Sequence, residues 1–212
     1  ANSLFLRMSV TLVISIYKDY LSLERVLETV CAQSLIPSQV ILAHDTIDDD
    51  IQSTILPFED RISITYINQE DTGFNKNRIL NKAVLQSKNE KIVFIDGDCI
   101  LHKQFIQSHA EYLEQGFYTA GRRVDLDAKT TSEIKNKGAS NLGFWKMFSN
   151  KTKRIEEAIY LPFHSFYLNK PAKLIGCNMG WCKKDLLALN GFDMDYMLPG
   201  FGEDTDLEFR AS

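Results

Sequence analysis

Along the first half of the chain, short apolar runs alternate with segments whose apolar residues recur every three or four positions. The runs favour parallel strands buried on both faces, and the periodic segments favour helices. Four strands are predicted, at residues 10–17, 39–44, 62–67 and 91–95. Four helices are predicted between and after them, at residues 21–32, near 51–56, at 76–86 and at 103–115. This alternation predicts an α/β fold, a Rossmann-like, mostly parallel open sheet flanked by helices.

Beyond residue 121 the alternation becomes irregular. Helices are predicted near residues 132–148 and 153–160, and residues 173–193 predict a strand, a turn, a second strand and a short helix. The chain's 212 residues fit a single domain. The last residues still follow a helical pattern, so we expect the natural protein to continue past Ser212. Met8 is a candidate start, in which case residues 1–7 would be an addition.

The composition excludes several classes of function. A net charge of −4 gives no reason to expect nucleic acid as a partner, and no apolar run approaches the ~18 residues needed to span a bilayer. Four cysteines without a C-x-x-C pair indicate a reducing, cytoplasmic location. The short basic clusters are interpreted as solvated faces, and peripheral binding at the inner face of a membrane is the alternative.

Two acids follow the fourth predicted strand directly. Residues 91–100 read KIVFIDGDCI, which places Asp96 and Asp98 at the carboxyl end of a buried strand with Gly97 between them, open to a ligand. Asp-x-Asp occurs five times in the chain, so the pattern alone is weak. Its position is the stronger signal, because open parallel sheets bind ligands beyond the carboxyl ends of their strands. A divalent cation, Mg²⁺ or Mn²⁺, would relieve the repulsion between the two carboxylates; a structural cap is the alternative.

Five segments, in order, resemble the landmarks of family 2 nucleotide-sugar glycosyltransferases of the GT-A fold. They are VTLVISIYKDYLSLERVLETVCAQS, VILAHD, DTGFNKNRILNKA, VFIDGDCI and GFDMDYMLPGFGEDTDLEFR. The last is also similar to the Gly-x-Gly-x-Glu-Asp-x-Asp region of β-1,4-galactosyltransferases and bacterial chondroitin-type polymerases. The resemblance implies an inverting, metal-dependent hexosyltransferase that moves a sugar from a nucleoside diphosphate, expected to be UDP, to a glycan or lipid-linked acceptor in polysaccharide synthesis. It also divides the single domain into a nucleotide-binding half, residues 1–121, and a smaller, mixed acceptor-side half, residues 122–212.

The resemblance assigns the donor side of the site residue by residue. The turn from Ser15 to Tyr17 would lie against the base and ribose, and Asp45 would accept the N–H of uracil. Arg78 would contact the nucleotide. Asp96 would bind the ribose or a metal-bound water, and Asp98 would ligate Mn²⁺ or Mg²⁺.

The acceptor side is assigned in the same way. Glu203 and Asp204 match the Glu-Asp pair whose aspartate is the catalytic base in inverting members. The glycine-rich stretch around Phe201 and Gly202 is interpreted as a lid over the sugar, with a buried hairpin as the alternative. Trp181 and Phe201 are candidate stacking surfaces for an acceptor sugar, although either could equally belong to the core.

The sequence departs from the family pattern in two places. His44 stands where the second strand usually ends in a first acid, and the metal-binding histidine that many members carry after the Glu-Asp pair has no counterpart before residue 212.

Three other functions are alternatives to this one. A haloacid-dehalogenase-type phosphatase would need its nucleophilic aspartate near the chain start. A sugar-1-phosphate nucleotidyltransferase would need a basic, glycine-rich loop after the first strand. A non-catalytic nucleotide-binding module of a larger synthase is the third rival, and the presence of both acidic motifs argues against it.

Overall fold

A six-stranded sheet with helices on both faces forms the body of the protein. The computed structural model describes residues 8–48, 50–141, 152–158, 172–198 and 202–211. The strands are β1 (Val10–Ile16), β2 (Gln39–His44), β3 (Ile64–Asn68), β4 (Lys91–Asp96), β5 (Thr119–Ala120) and β6 (Met179–Cys182). The helices are α1 (Tyr20–Cys31), α2 (Ile51–Ile55), α3 (Lys76–Gln86), α4 (Phe105–Tyr112), α5 (Ala128–Lys137), α6 (Lys183–Ala188) and α7 (Glu203–Arg210). Short 3-10 turns cover Leu56–Phe58, Ala139–Asn141 and Ile155–Ala158.

The strand order is β3-β2-β1-β4-β6-β5, and the first four strands of this order run parallel. The short strands β6 and β5 add an antiparallel edge beyond β4. The predicted mostly parallel α/β sheet is therefore confirmed. The chain moves from β1 to β2 and β3 on one side and returns to β4 on the other, so the strand order reverses between β1 and β4. Open α/β sheets bind ligands at such a reversal.

Alternate residues of the central strands enter two separate hydrophobic layers. Leu12 and Ile14 of β1 share one cluster with the buried residues of α1, α2 and α4. Val13 points to the other face and joins the cluster that contains the apolar residues of α3, α6 and α7. This burial on both faces explains why β1, β2 and β4 read as apolar runs without polar alternation. No helix in the described ranges is long and apolar enough to cross a membrane.

The helix predicted near residues 132–148 has different boundaries in the structure. It begins at Ala128, because the carboxylate of Asp127 accepts hydrogen bonds from the N–H groups of Lys129 and Thr130 at 3.0 and 3.2 Å. It ends at Lys137, before Gly138 at φ +95°. Both end signals are standard helix caps. Residues 142–150 lie outside the described ranges.

Of the two strands predicted within residues 173–193, the first was wrong and the second is β6. Leu174 is buried, as its apolar character indicates, but its N–H donates to the Glu208 side chain of α7 at 3.0 Å instead of entering the sheet. A single side-chain acceptor thus satisfies the backbone that a strand would otherwise have paired. The helix predicted near 153–160 appears as the 3-10 turn Ile155–Ala158, and residues 159–160 lie outside the described ranges.

Candidate active site

The acidic turn after β4 lies at the reversal of strand order, against the end of β1. Asp96 pairs in register with Ser15, and Cys99 N–H donates to the Asp96 carbonyl at 3.2 Å to close the turn. Gly97 N–H donates to the Ser15 carbonyl at 2.8 Å. A Cβ at Gly97 would stand 3.0 Å from that same carbonyl oxygen, so glycine is needed here for the approach of β1. Ser15 and Asp96 therefore meet at the predicted ligand edge.

The negative charge of Asp96 is compensated by neighbouring groups of the protein. Its Oδ1 accepts a hydrogen bond from Ser15 Oγ at 2.8 Å and a salt bridge from Lys76 Nζ at 2.6 Å. Burial alone would raise the pKa of Asp96, but the charge of Lys76, together with the hydrogen bonds from Lys76 and Ser15, outweighs it and holds the pKa below the ordinary value. The carboxylate is thus ionised and fixed in orientation.

Lys76 is a candidate site residue that the sequence reasoning missed. Arg78, which was predicted to contact the nucleotide, is exposed on α3, whereas Lys76 at the start of the same helix reaches the strand end. Two positions on a helix differ by about 200°, so the two cations cannot share a face. Lys76 precedes the buried Ile79 and Leu80 by three and four residues, and this spacing places it on the core-facing side. That signal was present in the sequence.

Asp98 differs from Asp96 because it is exposed and has no salt bridge among the described residues. Its Oδ1 accepts a weak hydrogen bond from the Cys99 thiol at 3.6 Å. No group of three histidine, cysteine or acidic side chains suited to a metal occurs in the described ranges. Mg²⁺-type sites commonly use one or two carboxylates and take further ligands from substrate phosphates and water. Asp98, with Asp96 beside it, fits such a site.

Asp45 lies at the end of β2, where it was predicted, but its carboxylate is occupied. It is 6% exposed, and its two oxygens accept from Gln69 Nε2 at 2.6 Å and from Asn75 N–H at 2.8 Å. Asp45 therefore holds the β3–α3 loop in place. Gln69 Oε1 is buried and finds no partner among the described residues.

His44, which replaces the usual acid, belongs to a buried polar network. Its Nδ1 lies 2.9 Å from Tyr66 Oη and its Nε2 3.3 Å from Tyr20 Oη. Tyr20 in turn donates to Asp48 Oδ2 at 2.7 Å. Burial lowers the pKa of His44 and favours the neutral ring. Two tyrosine hydroxyls and an imidazole thus satisfy one another where a second carboxylate would be an unpaired charge.

Tyr17 extends from the loop after β1 toward the β3–α3 loop. It is 56% exposed, and its hydroxyl donates to Asp71 Oδ2 at 3.1 Å. Lys18, at φ +53°, makes a 3.0 Å salt bridge to the same oxygen. Because β2 lies between β1 and β3, this connection passes beside the end of β2 that carries Asp45.

The turn that contains Gly176 lies between the second acidic motif, Glu203-Asp204, and the first. Asp204, in the first turn of α7, accepts a hydrogen bond from Gly176 N–H at 3.2 Å on its Oδ2. A Cβ on Gly176 would stand 3.8 Å from Lys76 Nζ, and Lys76 is bound to Asp96. The series Asp96–Lys76–Gly176–Asp204 therefore links the two acidic motifs.

The remaining residues predicted near this motif have different outcomes. Gly202 adopts φ +80° and precedes α7, and Glu203 begins that helix. Phe201 lies outside the described residues. Trp181 is 2% exposed and packs against Tyr118 with ring centroids 4.8 Å apart. Of its two sequence interpretations, the structure supports the core residue and contradicts the stacking surface, because β6 places Trp181 opposite Ile92 of β4 inside the sheet.

Two thiols line a cavity next to the acidic turn. Cys99, next to Asp98, and Cys177, in the Gly176 turn, both border a cavity of about 1310 Å³. Arg123 Nη1 donates to Cys177 Sγ at 3.4 Å. The neighbouring Cys99 thiol and the hydrogen bond from Arg123 lower the pKa of Cys177 to about 7, although burial acts against them. The sequence showed these cysteines 78 positions apart and gave no sign that both border one cavity.

Solved structures of glycosyltransferases share this architecture. The mannosyltransferase PcManGT from Pyrobaculum calidifontis, in complex with GDP-Man and Mn²⁺, matches 88% of this chain and 48% of its own length with a TM-score of 0.56 and 15% identity. S. aureus TarS 1-349 in complex with UDP matches 96% of this chain and 54% of its own length with a TM-score of 0.60 and 11% identity. At such identities the likeness shows the fold, and it confirms the predicted GT-A class.

Sequence comparison gives the family. The validoxylamine A glucosyltransferase of Streptomyces hygroscopicus subsp. limoneus is 27% identical over 100 residues, which are 46% of this chain and 22% of that protein. The chain thus spans about a fifth of this curated relative and about half of the solved structures above. The family model for glycosyl transferase family 2 matches residues 11–175, well over half of the 212 residues. The chain belongs to glycosyl transferase family 2.

Proposed function

We propose that this chain is a metal-dependent, inverting glycosyltransferase that moves a hexosyl group from a UDP-sugar to a hydroxyl of a glycan or lipid-linked acceptor in polysaccharide synthesis. The observation that carries the proposal is that Lys76 binds Asp96 where the strand order reverses and lies next to the Gly176 turn, which holds Asp204. The Mn²⁺ and GDP-Man bound to one structural relative, and the UDP bound to another, support a nucleotide-sugar donor. In this proposal residues 1–121 hold the donor and residues 122–212 face the acceptor.

The donor diphosphate would lie between the ends of β1 and β4. Asp98 would hold Mn²⁺ or Mg²⁺, with Asp96 beside it. Such an ion supplies a Lewis acid that stabilises the negative charge left on the diphosphate. Lys76 is the cation next to this position, so we assign to it a contact with the diphosphate, in place of the nucleotide contact that was predicted for Arg78. Its bond to Asp96 holds the ammonium group at the end of β4.

The base and ribose would lie beside Ser15, Tyr17 and Asp45. The exposed ring of Tyr17 offers a face to a base. A carboxylate at Asp45 accepts the imide N–H of uracil and finds no such donor on cytosine. Each oxygen of Asp45 already accepts one hydrogen bond, and each has a second lone pair for the base. We therefore expect UDP with Mn²⁺ to raise the thermal midpoint more than CDP does, and equal shifts would contradict the assignment of uracil.

Asp204 would take the proton from the attacking hydroxyl of the acceptor. Its carboxylate is held by the N–H of Gly176, so the base has a fixed position across Lys76 from the strand end. A base on the opposite side of the sugar from the leaving group inverts the anomeric carbon. A cavity of about 1310 Å³ borders Asp98 and is lined by residues 121–126 and part of α5, and in this proposal it is open space beside the metal ligand.

The variant Asp204→Asn tests this function. It keeps the size of the side chain and one acceptor oxygen, but it cannot take a proton. A general base contributes typically 10²–10⁴-fold, so we expect a fall of about that size in turnover with unchanged stabilisation by UDP and Mn²⁺. Asp206→Asn, two residues along α7, removes a charge that pairs with Arg210 and serves as the control for effects on helix stability. Wild-type turnover in Asp204→Asn would refute the assignment of the base.

A further inference from the structure

The acid at the end of β2, Asp45, belongs to a closed ring of three hydrogen bonds. Gln69 Nε2 donates to Asp45 Oδ1 at 2.6 Å and to the carbonyl oxygen of Asn75 at 2.9 Å. The N–H of Asn75 donates to Asp45 Oδ2 at 2.8 Å and closes the ring. Because both carboxylate oxygens are held, the ring sets the direction in which Asp45 can accept a further hydrogen bond.

The ring is anchored to two elements of the fold. The N–H of Asp45 donates to the carbonyl of Ile16 at 3.0 Å, which ties the acid to the end of β1. The Asn75 carbonyl that receives the glutamine amide also accepts the N–H groups of Arg78 and Ile79 at 3.0 and 3.3 Å. These bonds begin α3. The carboxylate is therefore fixed relative to both the central sheet and the helix that carries Lys76.

The glutamine in this ring has a cost that an apolar side chain would avoid. Gln69 is 6% exposed, and its Oε1 is buried without a hydrogen-bond partner among the described residues. An unsatisfied buried oxygen lowers stability, whereas an apolar group of the same shape does not. Asp45 is also 6% exposed, and a buried carboxylate is costly as well. Two costly side chains that meet at the ligand edge of the sheet indicate a requirement of binding and not of packing.

We propose that Gln69 is a positioning residue for the donor base: it turns the Asp45 carboxylate so that a free lone pair faces the base, and it thereby sets which base is bound. The inference rests on the proposed function, in which the base lies beside Asp45. The Gln69 amide is neutral, so it holds the carboxylate without cancelling its charge. Asp45 therefore remains a strong acceptor for the imide N–H that uracil has and cytosine lacks. Without the amide, the carboxylate can turn away and the choice between bases weakens.

The first test removes the amide. Gln69→Met keeps the length of the side chain, and the dissociation constants of the chain for UDP and CDP, each with Mn²⁺, give the base preference as a ratio in which the metal and the diphosphate cancel. A hydrogen bond to a charged group corresponds to roughly tenfold or more in binding, so we expect the ratio to fall by about tenfold. Gln39→Met is the matched control, because Gln39 is 1% exposed, donates two amide bonds and begins β2 at the end opposite Asp45. Its loss should lower stability and leave the ratio unchanged.

The second test gives a result that a merely structural role would not produce. In Gln69→Glu at about pH 8, the new carboxylate would repel Asp45, and the preference for UDP should be lost. At about pH 6 the two carboxyl groups can share a proton, which restores a donor between them. The preference should then return in part, whereas that of wild type should be the same at both pH values.

The shared proton should also appear in the stability of this variant. Because the folded pair binds a proton more tightly than the separate carboxyl groups of the unfolded chain, the stability of Gln69→Glu relative to wild type should rise as the pH falls from about 8 to about 6. Urea denaturation at the two pH values measures this change. The other titratable groups near the ring are common to both proteins and cancel in the comparison; they are Lys18, His44, Glu70, Asp71 and Lys76.

The proposal is overturned if Gln69→Met keeps the wild-type ratio of UDP to CDP binding, or if Gln39→Met loses it to the same extent. It is also overturned if the stability of Gln69→Glu relative to wild type does not change with pH, since the two side chains would then not be in contact. A wild-type chain that does not distinguish UDP from CDP would instead count against the proposed function. The two failures are distinguishable, because the urea measurement needs no nucleotide.

Discussion

Removal of the positive charge at Lys76 should lower the stability of the protein, because Asp96 at the end of β4 loses its partner. In Lys76→Met the side chain keeps much of its length, but the salt bridge to Asp96 is lost. The Nζ–Oδ1 distance of 2.6 Å corresponds by Coulomb's law to roughly 6 kcal/mol at an effective dielectric constant of about 20 and to about 1.6 kcal/mol in bulk water. The two side chains are 17% and 31% exposed, so solvent screening and desolvation reduce the net value. We expect the free energy of unfolding to fall by about 2 kcal/mol.

The same variant should change how the protein responds to a divalent ion. Lys76 and a bound cation both compensate Asp96, so removal of the lysine leaves more negative charge for the ion to neutralise. We expect Mn²⁺ alone to stabilise Lys76→Met more than wild type and to recover most of the lost ~2 kcal/mol. Each 1.4 kcal/mol recovered corresponds to a roughly tenfold higher apparent affinity for Mn²⁺. Transfer activity should nevertheless fall, because the proposed phosphate contact is gone.

Urea denaturation at neutral pH, with chelator and then with Mn²⁺, measures both effects. Lys82→Met is the matched control, since Lys82 lies on the same helix without a salt bridge among the described residues. Lys76→Arg should keep most of the stability because it keeps the charge. The reasoning fails if Lys76→Met is as stable as wild type in chelator, or if Mn²⁺ stabilises it no more than it stabilises Lys82→Met.

Two further predictions concern the framework around the pocket. Burial lowers the pKa of His109 to about 4, so stability should be complete above about pH 6.5, where the unfolded histidine is also neutral, and should fall by about 2 kcal/mol between pH 6.5 and 5. His109→Gln keeps an amide that can bind Thr119 and Asn178. Urea denaturation at the two pH values should show a smaller fall in the free energy of unfolding for this variant than for wild type. An equal fall would mean that His109 is not the cause of the pH dependence. Gly191→Ala places a Cβ 2.3 Å from Asn81 Oδ1 at φ +69°, whereas Gly116→Ala meets nothing within 4 Å at φ +83°. Gly191→Ala should therefore lower the free energy of unfolding by at least about 2 kcal/mol more than Gly116→Ala does. Equal losses would mean that the Asn81 side chain moves away from the new Cβ without a measurable loss of stability.

The parts of the fold that local patterns determine were predicted well. Strands β1, β2 and β4 are apolar runs because they are covered on both faces, and the acids that follow β4 had to lie at the ligand edge once the parallel order was inferred. α5 was misplaced because hydrophobic spacing was weighed above the caps at Asp127 and Gly138. Residues 173–175 were misread because an apolar pattern cannot show that Glu208, 34 residues later, will satisfy the Leu174 N–H.

The parts of the candidate site that depend on long-range contact were beyond the sequence. Asp96 and Lys76 are 20 positions apart, and Gly176 and Asp204 are 28 apart; nothing local states that they meet. The aromatic character of Trp181 was equally compatible with a sugar platform and with the core, and the pairing of β6 with β4 decided the question. Lys76 itself could have been identified, because its helical spacing from Ile79 and Leu80 separated it from Arg78.

The contacts between the two acidic motifs have a mechanical consequence. Ser15 holds Asp96, Asp96 holds Lys76, and Lys76 lies against the Gly176 turn that holds Asp204. A diphosphate that draws Lys76 toward itself must weaken the bond to Asp96, and the freed carboxylate then becomes available to an ion or the ribose. The Gly176 turn lies between Lys76 and Asp204, because it is next to the first and donates a hydrogen bond to the second. In the proposed function, binding of the donor and positioning of the base are therefore linked through one side chain.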